Sequence, residues 1–316
     1  MSAAKMRTGE PGVWEARRPL GDGVVKMLLL AGCLLLLLLF VAMPLYAILS
    51  EAFLLPDGSW GMGNFTRYFE DSRFVVVTWR SLHIATSATL VTVLLAYGYA
   101  YALIRPSIPW KPFWRFTALL PLFAPSLVQA LGIQFLLGRN GLVGNLLGIR
   151  IDIYGFWGIF LADVIYAFPH ALLILITALT IGDGRLYEAG RLLGASDWRL
   201  FRTVTLPSTR YGIMSATFVV FTIVITDFGN AMVIGGDYSV LATEIYNQVS
   251  GQANFNLGAV IGIVLLVPAA VAMIVERWVA RRSAALLTER SVPIMVRPSA
   301  ARDRAALGYV AAIASA

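Results

Sequence analysis

Six apolar stretches, each long enough to cross a lipid bilayer, limit what this chain of 316 residues can fold into. A bilayer core about 30 Å thick is crossed by about 20 helical residues at a rise of 1.5 Å each. The stretches hold few charged side chains, and Asp163 and Asp227 are the ones that lie deep inside a stretch. The stretches are Met27–Leu49, Leu82–Ile104, Phe116–Leu137, Phe156–Ile181, Ile213–Ile234 and Leu257–Val279. The sequence therefore predicts an all-α polytopic membrane protein with six transmembrane helices.

The composition agrees with this class. Hydrophobic residues make up 58% of the chain and charged residues 14%, and the mean hydropathy is +0.74. Soluble globular domains carry about 25% charged residues. A soluble fold is therefore excluded as the main part of the chain.

The basic residues predict the orientation of the six spans. Twenty of the 25 Lys and Arg residues lie in the N-terminal tail, in the loops after spans 2 and 4, and in the C-terminal tail. Loops rich in Lys and Arg stay in the cytoplasm, so we expect a cytoplasmic tail over residues 1–26, a six-span domain over 27–280 and a basic cytoplasmic tail or linker over 281–304. The net charge of +7 follows from this topology, and no nucleic-acid binding is expected.

Both ends of the chain place basic residues beside apolar ones. Met27–Leu49 is longer than the apolar region of a signal peptide, and no A-x-A cleavage site follows it, so we expect a retained span. Residues 305–316 form a short apolar run that would cover about 18 Å as a helix. Because this run follows Arg302 and Arg304, it is interpreted as the possible start of a further span, with an apolar tail on the membrane surface as the alternative.

The sequence offers no centre for metal or covalent chemistry. The single cysteine, Cys33, lies in an apolar stretch, and His83 and His170 are far apart in the sequence. Metal sites need several ligands at defined spacing. We therefore expect no metal, no cofactor and no catalytic residues.

A polar, arginine-rich segment, residues 182–212, separates the fourth and fifth apolar stretches. Asp183 is of a type that caps helices, and apolar residues follow it at helical spacing. Gly194 allows a turn between two short helices, Asp197 begins the second helix, and Pro207 restricts how the chain enters the fifth stretch. The segment predicts a pair of short helices on the cytoplasmic side. A hairpin that only lies at the membrane interface is the alternative.

The order of residues within this segment resembles a known family. It reads Glu188-Ala189-Gly190, three residues, Gly194, nine residues, and then Val204-Thr205-Leu206-Pro207. The spacing is similar to E-A-A-x3-G-x9-I-x-L-P, the pattern of the cytoplasmic EAA loop in inner-membrane permeases of ATP-binding-cassette (ABC) importers. Gly190 and Val204 are conservative departures from that pattern.

The resemblance implies a six-transmembrane-helix ABC importer permease half, with the EAA-like loop coupling it to an ATPase. Such a protein is a multi-pass protein of the bacterial inner (plasma) membrane, with its N-terminus in the cytoplasm. The expected partners are ABC ATPase subunits, a periplasmic or lipid-anchored solute-binding protein, and a second permease half that is fused, separate or a homodimer mate. The coupling residues implied by the match are Glu188, Ala189, Gly190, Gly194, Asp197, Val204, Leu206 and Pro207.

ATP hydrolysis is expected in a separate subunit, because the chain lacks a phosphate-binding loop. That loop needs a lysine in G-x4-G-K-[ST]. The three lysines are Lys5, Lys26 and Lys111, and none follows such a pattern. The chain is therefore expected to be a transport subunit and not an enzyme.

The stretch Asp227–Val260 resembles permeases of the iron(III)/phosphonate branch of ABC importers, most closely those for 2-aminoethylphosphonate. Those permeases are commonly fused duplicates of two six-span halves. The resemblance implies 2-aminoethylphosphonate or a related small solute as the substrate, with iron(III) as the alternative. The segment Gly235–Asn256 holds Asp237 and Glu244 without Lys or Arg, which suits an outward-facing gate or a contact with the binding protein.

Polar residues inside spans are the candidates for lining a solute path, because ionisable groups at membrane depth are costly and usually face the protein interior. The candidates are Asp227, Asn230, Gln129 and Asp163. For Asp227 an equal alternative is that it caps a helix break before Gly229. For Gln129 the alternative is a hydrogen bond between helices.

Two other classes of protein remain open at this point. An ion-coupled secondary transporter would show inverted repeats and no loop for an ATPase. A membrane enzyme would need a nucleophile, a base or metal ligands that converge, and none is evident in the sequence.

Overall fold

The structure is a computed structural model, which describes residues 20–148, 152–285 and 299–315. Its contacts divide the chain into two units, Met1–Ser50 and Glu51–Ala316. In the first unit, helix α1 (Leu20–Leu37) continues through a π turn (Leu38–Ala42) into α2 (Met43–Glu51). Residues Gly23–Glu51 are long and apolar enough to cross a membrane, as predicted for the first span; that this span is retained stays a prediction.

The second unit is built from thirteen further helices in the part of the chain that the structure describes. They are α3 (Gly63–Glu70), α4 (Ser72–Ile104), α5 (Lys111–Leu119), α6 (Ser126–Leu137), α7 (Leu142–Leu147), α8 (Phe156–Thr180), α9 (Gly184–Leu192), α10 (Asp197–Leu200), α11 (Leu206–Ile225), α12 (Gly229–Ile234), α13 (Leu241–Tyr246), α14 (Phe255–Ala285) and α15 (Ala300–Ser315).

The core of the second unit lies where α4, α8, α11 and α14 pack together. The buried face of α4 carries small side chains, including Ala85, Ala88, Ala96 and Ala100. Small residues let membrane helices approach closely, so that dispersion contacts can hold them together where lipid supplies no hydrophobic drive. The packed bundle confirms the predicted all-α membrane fold.

The candidate membrane spans are compatible with the six-span prediction. Within residues 20–148, 152–285 and 299–315, five helices are long and apolar enough to cross a membrane, and the bent pair Lys111–Phe123 and Ser126–Leu147 makes six if it counts as one span. The boundaries differ in part from those predicted: α4 begins ten residues before the expected Leu82, because Asp71 caps it by accepting the Arg73 backbone N–H at 2.9 Å. A polar first turn such as this carries no signal in a hydropathy pattern.

Two predicted spans are broken in the structure. The stretch Phe116–Leu137 was expected to be one helix, but its two parts meet at 104°. Ala124 is extended before Pro125, as residues before proline usually are. The stretch Ile213–Ile234 was expected to be one span, with a helix break before Gly229 as one of two interpretations of Asp227; in the structure α11 ends at Ile225 and α12 starts at Gly229.

Helix α15 lies on α4 and α5. The Tyr309 hydroxyl donates to the Leu95 carbonyl at 2.9 Å, and the Asp303 carboxylate accepts the Ser107 backbone N–H at 3.0 Å. Because Asp303 lies near the end of α4 and Tyr309 lies beside its interior, α15 runs antiparallel to α4. Its role as the start of a further span stays a prediction, and the proposed linker falls largely on residues outside the described part.

Candidate functional site: a two-helix loop and two helix breaks

The predicted EAA-like loop folds as two short helices at one end of the bundle, which is called the loop end below. Asp183 caps α9 by accepting the Arg185 backbone N–H at 3.0 Å, and Ser196 caps α10 by accepting that of Arg199 at 3.3 Å. Gly194 joins the two helices with φ at +75°, a conformation that glycine adopts without strain. The expected turn at Gly194 is therefore present. Its cause is the backbone conformation, since a Cβ there would meet nothing within 4 Å.

The loop exposes a group of apolar side chains. Leu192 is 89% exposed, Leu193 is 86% exposed and Trp198 is 69% exposed. The Trp198 ring stacks on Phe201 with centroids 5.5 Å apart, so its position is set by the protein. Exposed apolar clusters on folded proteins commonly mark interaction sites.

The structure brings the eight predicted coupling residues into this one loop and the start of α11. Glu188 and Ala189 are exposed on α9, and Gly190 faces Leu200, whose side chain would lie 2.5 Å from a Cβ at that position. Asp197 forms ion pairs with Arg191 at 3.9 Å and with Arg302 of α15 at 3.4 Å. Val204 is half-buried, while Leu206 and Pro207 are exposed.

Three buried residues that the sequence reading did not single out fasten the loop to the bundle. The Arg105 Nη2 group donates to the Tyr187 hydroxyl at 2.9 Å, and that hydroxyl also hydrogen-bonds Thr205 Oγ1 at 2.8 Å. Burial lowers the pKa of the Arg105 guanidinium from its ordinary value, yet arginine stays charged in proteins. The guanidinium lies over the Tyr187 ring, 4.5 Å from the centroid, and this contact offsets part of its lost hydration.

A second polar group lies where the two broken spans meet. The Asp227 carboxylate accepts the Asn230 backbone N–H at 2.8 Å, and the Asn230 side-chain amide donates to the Asp163 carboxylate at 2.8 Å. Three of the four path candidates are therefore joined. Asp163 and Asn230 are buried, so they face other helices and not lipid.

The fourth path candidate, Gln129 of α6, holds the bend that precedes this helix. Its amide nitrogen donates to the carbonyls of Pro121 and Ala124 at 2.5 and 2.9 Å. The bend before Pro125 leaves the Pro121 carbonyl with the Ala124 backbone N–H as its other donor, at 3.2 Å, and carbonyls at a helix break need donors at membrane depth. Both Gln129 contacts lie within the broken span itself, so the hydrogen bond between helices that was raised from the sequence stays a prediction.

The segment Gly235–Asn256 is held from inside the bundle. Glu244 is fully buried and pairs with Arg73 at 3.0 Å, and the Gln248 amide donates to the same carboxylate at 2.8 Å. Arg80 lies over the Tyr238 ring at 4.7 Å and donates to the Asp237 carbonyl at 3.2 Å. Glu244 is therefore an internal anchor of this segment, which leaves Asp237 as its exposed carboxylate.

Comparison with known proteins places this architecture in a family. The model of binding-protein-dependent transport system inner membrane components matches residues 93–284. The chain belongs to that family, as its resemblance to ABC importer permeases indicated. The match includes the loop end and both helix breaks.

Two curated relatives give the range of similarity. The ferric transport system permease protein of Actinobacillus pleuropneumoniae is 28% identical over 273 residues, covering 83% of this chain and 39% of the relative. The molybdenum transport system permease protein of Escherichia coli K12 is 28% identical over 211 residues, covering 64% of this chain and 92% of the relative. The chain thus spans about two fifths of the length of the ferric permease.

The fold is shared with solved structures. One example is a bacterial alginate ABC transporter in complex with a periplasmic protein bound to an alginate pentasaccharide. The matched chain is 18% identical with a TM-score of 0.63, and the match covers 86% of this chain and 97% of that chain. This similarity supports the arrangement of the helices.

Proposed function

We propose that this chain is a transmembrane half of an ATP-driven, binding-protein-dependent importer, and that its two-helix loop docks on a separate ABC ATPase subunit. The observation that carries the proposal is the exposed Leu192, Leu193 and Trp198 group on a loop that Tyr187 fastens to the bundle. An apolar surface supplies affinity for a partner, and a fastened loop can transmit motion from it. Family membership supports the same function.

The docking proposal can be tested with the ABC ATPase encoded nearest to this chain. Changing Leu192 and Leu193 to Ser should abolish co-purification of the ATPase, because their exposed apolar surface is removed without disturbing the core. Phe69→Ser is the matched control, since Phe69 is also exposed but lies on α3. Retention of the ATPase by the Leu192/Leu193 variant, or its equal loss with Phe69→Ser, would contradict the proposal.

We further propose that the loop end faces the cytoplasm, which the distribution of Lys and Arg supports. In a Cys33→Ser background, single cysteines can be placed at Glu188 on the loop and at Asp57, which is exposed in a turn before α3. A membrane-impermeant maleimide should label position 57 in spheroplasts and position 188 only after permeabilisation. The reverse pattern would show the opposite orientation.

The substrate that we propose is 2-aminoethylphosphonate, on the resemblance of Asp227–Val260 to permeases of that branch. The ferric transport relative supports iron(III) as the second candidate. The partners proposed with either solute are a solute-binding protein and a second permease half. Calorimetry on the binding protein encoded beside this chain should give a heat of binding with 2-aminoethylphosphonate and none with ferric citrate. The opposite result would select iron(III).

A further inference from the structure

The loop end contains a series of hydrogen bonds that starts at Arg105, the residue that follows α4, and returns to α4 at Tyr97. Arg105 bonds Tyr187 of α9, and Tyr187 bonds Thr205 at the end of the π turn Phe201–Thr205. Thr209 of α11 donates its hydroxyl to the Thr205 carbonyl at 2.9 Å, and Thr209 Oγ1 lies 3.0 Å from the Tyr97 hydroxyl. Tyr97 is two helical turns before Arg105 on α4. These five residues are called the tether.

The direction of each bond in the tether follows from its donors. Arg105 can only donate, so the Tyr187 oxygen accepts from it and the Tyr187 hydrogen is free for Thr205 Oγ1. Because the Thr209 hydroxyl donates its hydrogen to the Thr205 carbonyl, the Tyr97 hydroxyl is the donor in its hydrogen bond with Thr209 Oγ1. In this arrangement every hydroxyl of the tether takes part in a hydrogen bond with another member of the tether.

Burial makes these bonds hard to exchange for water. Arg105, Tyr187, Thr205 and Thr209 are all buried. The same Arg105 nitrogen also donates to the Leu179 carbonyl at 3.3 Å, in the last turn of α8, where a positive charge is favourable. The remaining two guanidinium nitrogens have no hydrogen-bond partner among the described residues. Tyr187 therefore provides the side-chain oxygen for this buried cation.

Tyr187 and the exposed leucines lie on opposite faces of one short helix. Leu192 and Leu193 point away from the protein, while Tyr187 points into the junction of α4, α8 and α11. A force applied at the leucines reaches three spans through the Tyr187 hydroxyl. The π turn before α11 is a local widening of the helix, of the kind often found at functional sites, and Thr205 braces its end.

We propose that the Tyr187 hydroxyl is a positioning group that makes the coupling loop and the loop ends of α4, α8 and α11 move as one body. The proposal rests on the proposed function, because the loop must receive motion from an ATPase for this rigidity to matter. Tyr187→Phe tests it directly. The variant keeps the ring beneath the Arg105 guanidinium and removes the two hydroxyl bonds.

The first experiment measures rigidity without any partner. Spin labels are placed at Leu192 of α9 and Leu94 of α4, both exposed, in a Cys33→Ser background. Pulsed electron paramagnetic resonance in nanodiscs then measures the distribution of distances between the loop and the bundle. Tyr187→Phe should broaden the distance distribution, and Thr205→Val should do the same from the other side of the bond. If Tyr187→Phe does not fold, Thr205→Val alone decides.

The matched control is Tyr99→Phe. Tyr99 is a buried tyrosine on α4, and its hydroxyl donates to the Trp114 carbonyl of α5 at 2.8 Å, away from the loop. The Tyr99→Phe variant loses a comparable buried hydrogen bond and should leave the distribution of spin-label distances unchanged. An unchanged distribution in Tyr187→Phe and Thr205→Val, or equal broadening in Tyr99→Phe, would overturn the proposal.

The second experiment measures coupling in the assembled complex with its ATPase. Tyr187→Phe should keep ATP hydrolysis and lower solute uptake per ATP by about tenfold, the order of change expected when both hydrogen bonds of the Tyr187 hydroxyl are lost. An unchanged ratio of uptake to hydrolysis would overturn the proposal. If the wild-type chain does not bind the ATPase at all, the proposed function fails, while the spin-label result still tests the tether.

Discussion

Gly229 lies where the two broken spans cross at close range. A Cβ on it would lie 2.5 Å from the Leu127 backbone nitrogen and from Ser126 Oγ. Backbone atoms cannot yield as a flexible side chain can, so only glycine fits this crossing. The sequence showed a glycine after Asp227, but the neighbour that requires it is a hundred residues away and was not visible.

Gly229→Ala should therefore destabilise the protein by about 1–3 kcal/mol, the usual cost of forcing an extra methyl group into a packed site. Gly132→Ala is the control, because Gly132 lies in α6 with open space around its Cβ position. Thermal unfolding in detergent, followed by tryptophan fluorescence, should show a lower midpoint for the first variant alone. Equal midpoints would mean that the crossing can relax.

Asp227 is the residue for which the sequence left two roles open, and its bond to the Asn230 backbone N–H favours a cap. Asp227→Asn should keep most uptake, because an amide oxygen still accepts that bond. Asp227→Ala should lose about 0.5–2 kcal/mol of stability, as helix caps do. Sharp loss of uptake in the Asn variant, with normal membrane levels and normal ATP hydrolysis, would instead assign Asp227 to a cationic part of the solute.

At the scale of elements, the helices that hydropathy predicts are present, but the sequence predicts the positions of their ends less well. The break before Pro125 had a local signal in the proline. The break after Ile225 lies within an apolar stretch, and a window of about 20 residues averages over it. The tether was missed because an aromatic residue such as Tyr187 on an amphipathic helix reads equally well as core or surface.

The two-helix loop was the best predicted element, since its signals are local in the sequence. Asp183 and Gly194 take the cap and turn positions that their chemistry favours. Gly194 has a positive φ and open space at its Cβ position, so the cost of replacing it is conformational. A conformational role of Gly194 predicts a different order of tolerance among substitutions than a steric role would.

Gly194→Asn should be tolerated better than Gly194→Ala, and Gly194→Val should be worst, because asparagine adopts the left-handed region more readily than other residues and β-branched residues resist it. Uptake and ATP hydrolysis by the reconstituted complex should follow that order. If Ala and Val behave alike and Asn is no better, the turn is set by packing and not by the backbone.

At the scale of the whole molecule, four long helices form a scaffold and the polar groups lie at its two ends and in its breaks. Arg73 and Glu244 anchor the segment at one end, and the tether anchors the loop at the other. The sequence singled out Glu244 but not its partner Arg73, and it missed the tether, because these contacts join positions that are distant in the chain. The family match covers the two-helix loop and most of this scaffold.

Helix α15 packs on α4 at Gly98, where the Tyr309 side chain occupies the space that a Cβ would need. A methyl group at Gly98 would come within 2.9–3.1 Å of the Tyr309 ring and hydroxyl. Gly98→Ala should stabilise the helical state of α4 by about 1 kcal/mol, the helix preference of alanine over glycine. The same methyl group should displace the Tyr309 side chain from its contact with α4. Hydrogen exchange should slow in Ser72–Ile104 and quicken in Ala300–Ser315. In the Gly98→Ala background, replacing Tyr309 by a smaller residue should slow hydrogen exchange in Ala300–Ser315 again. A single methyl group on α4 would then determine whether α15 stays packed against α4.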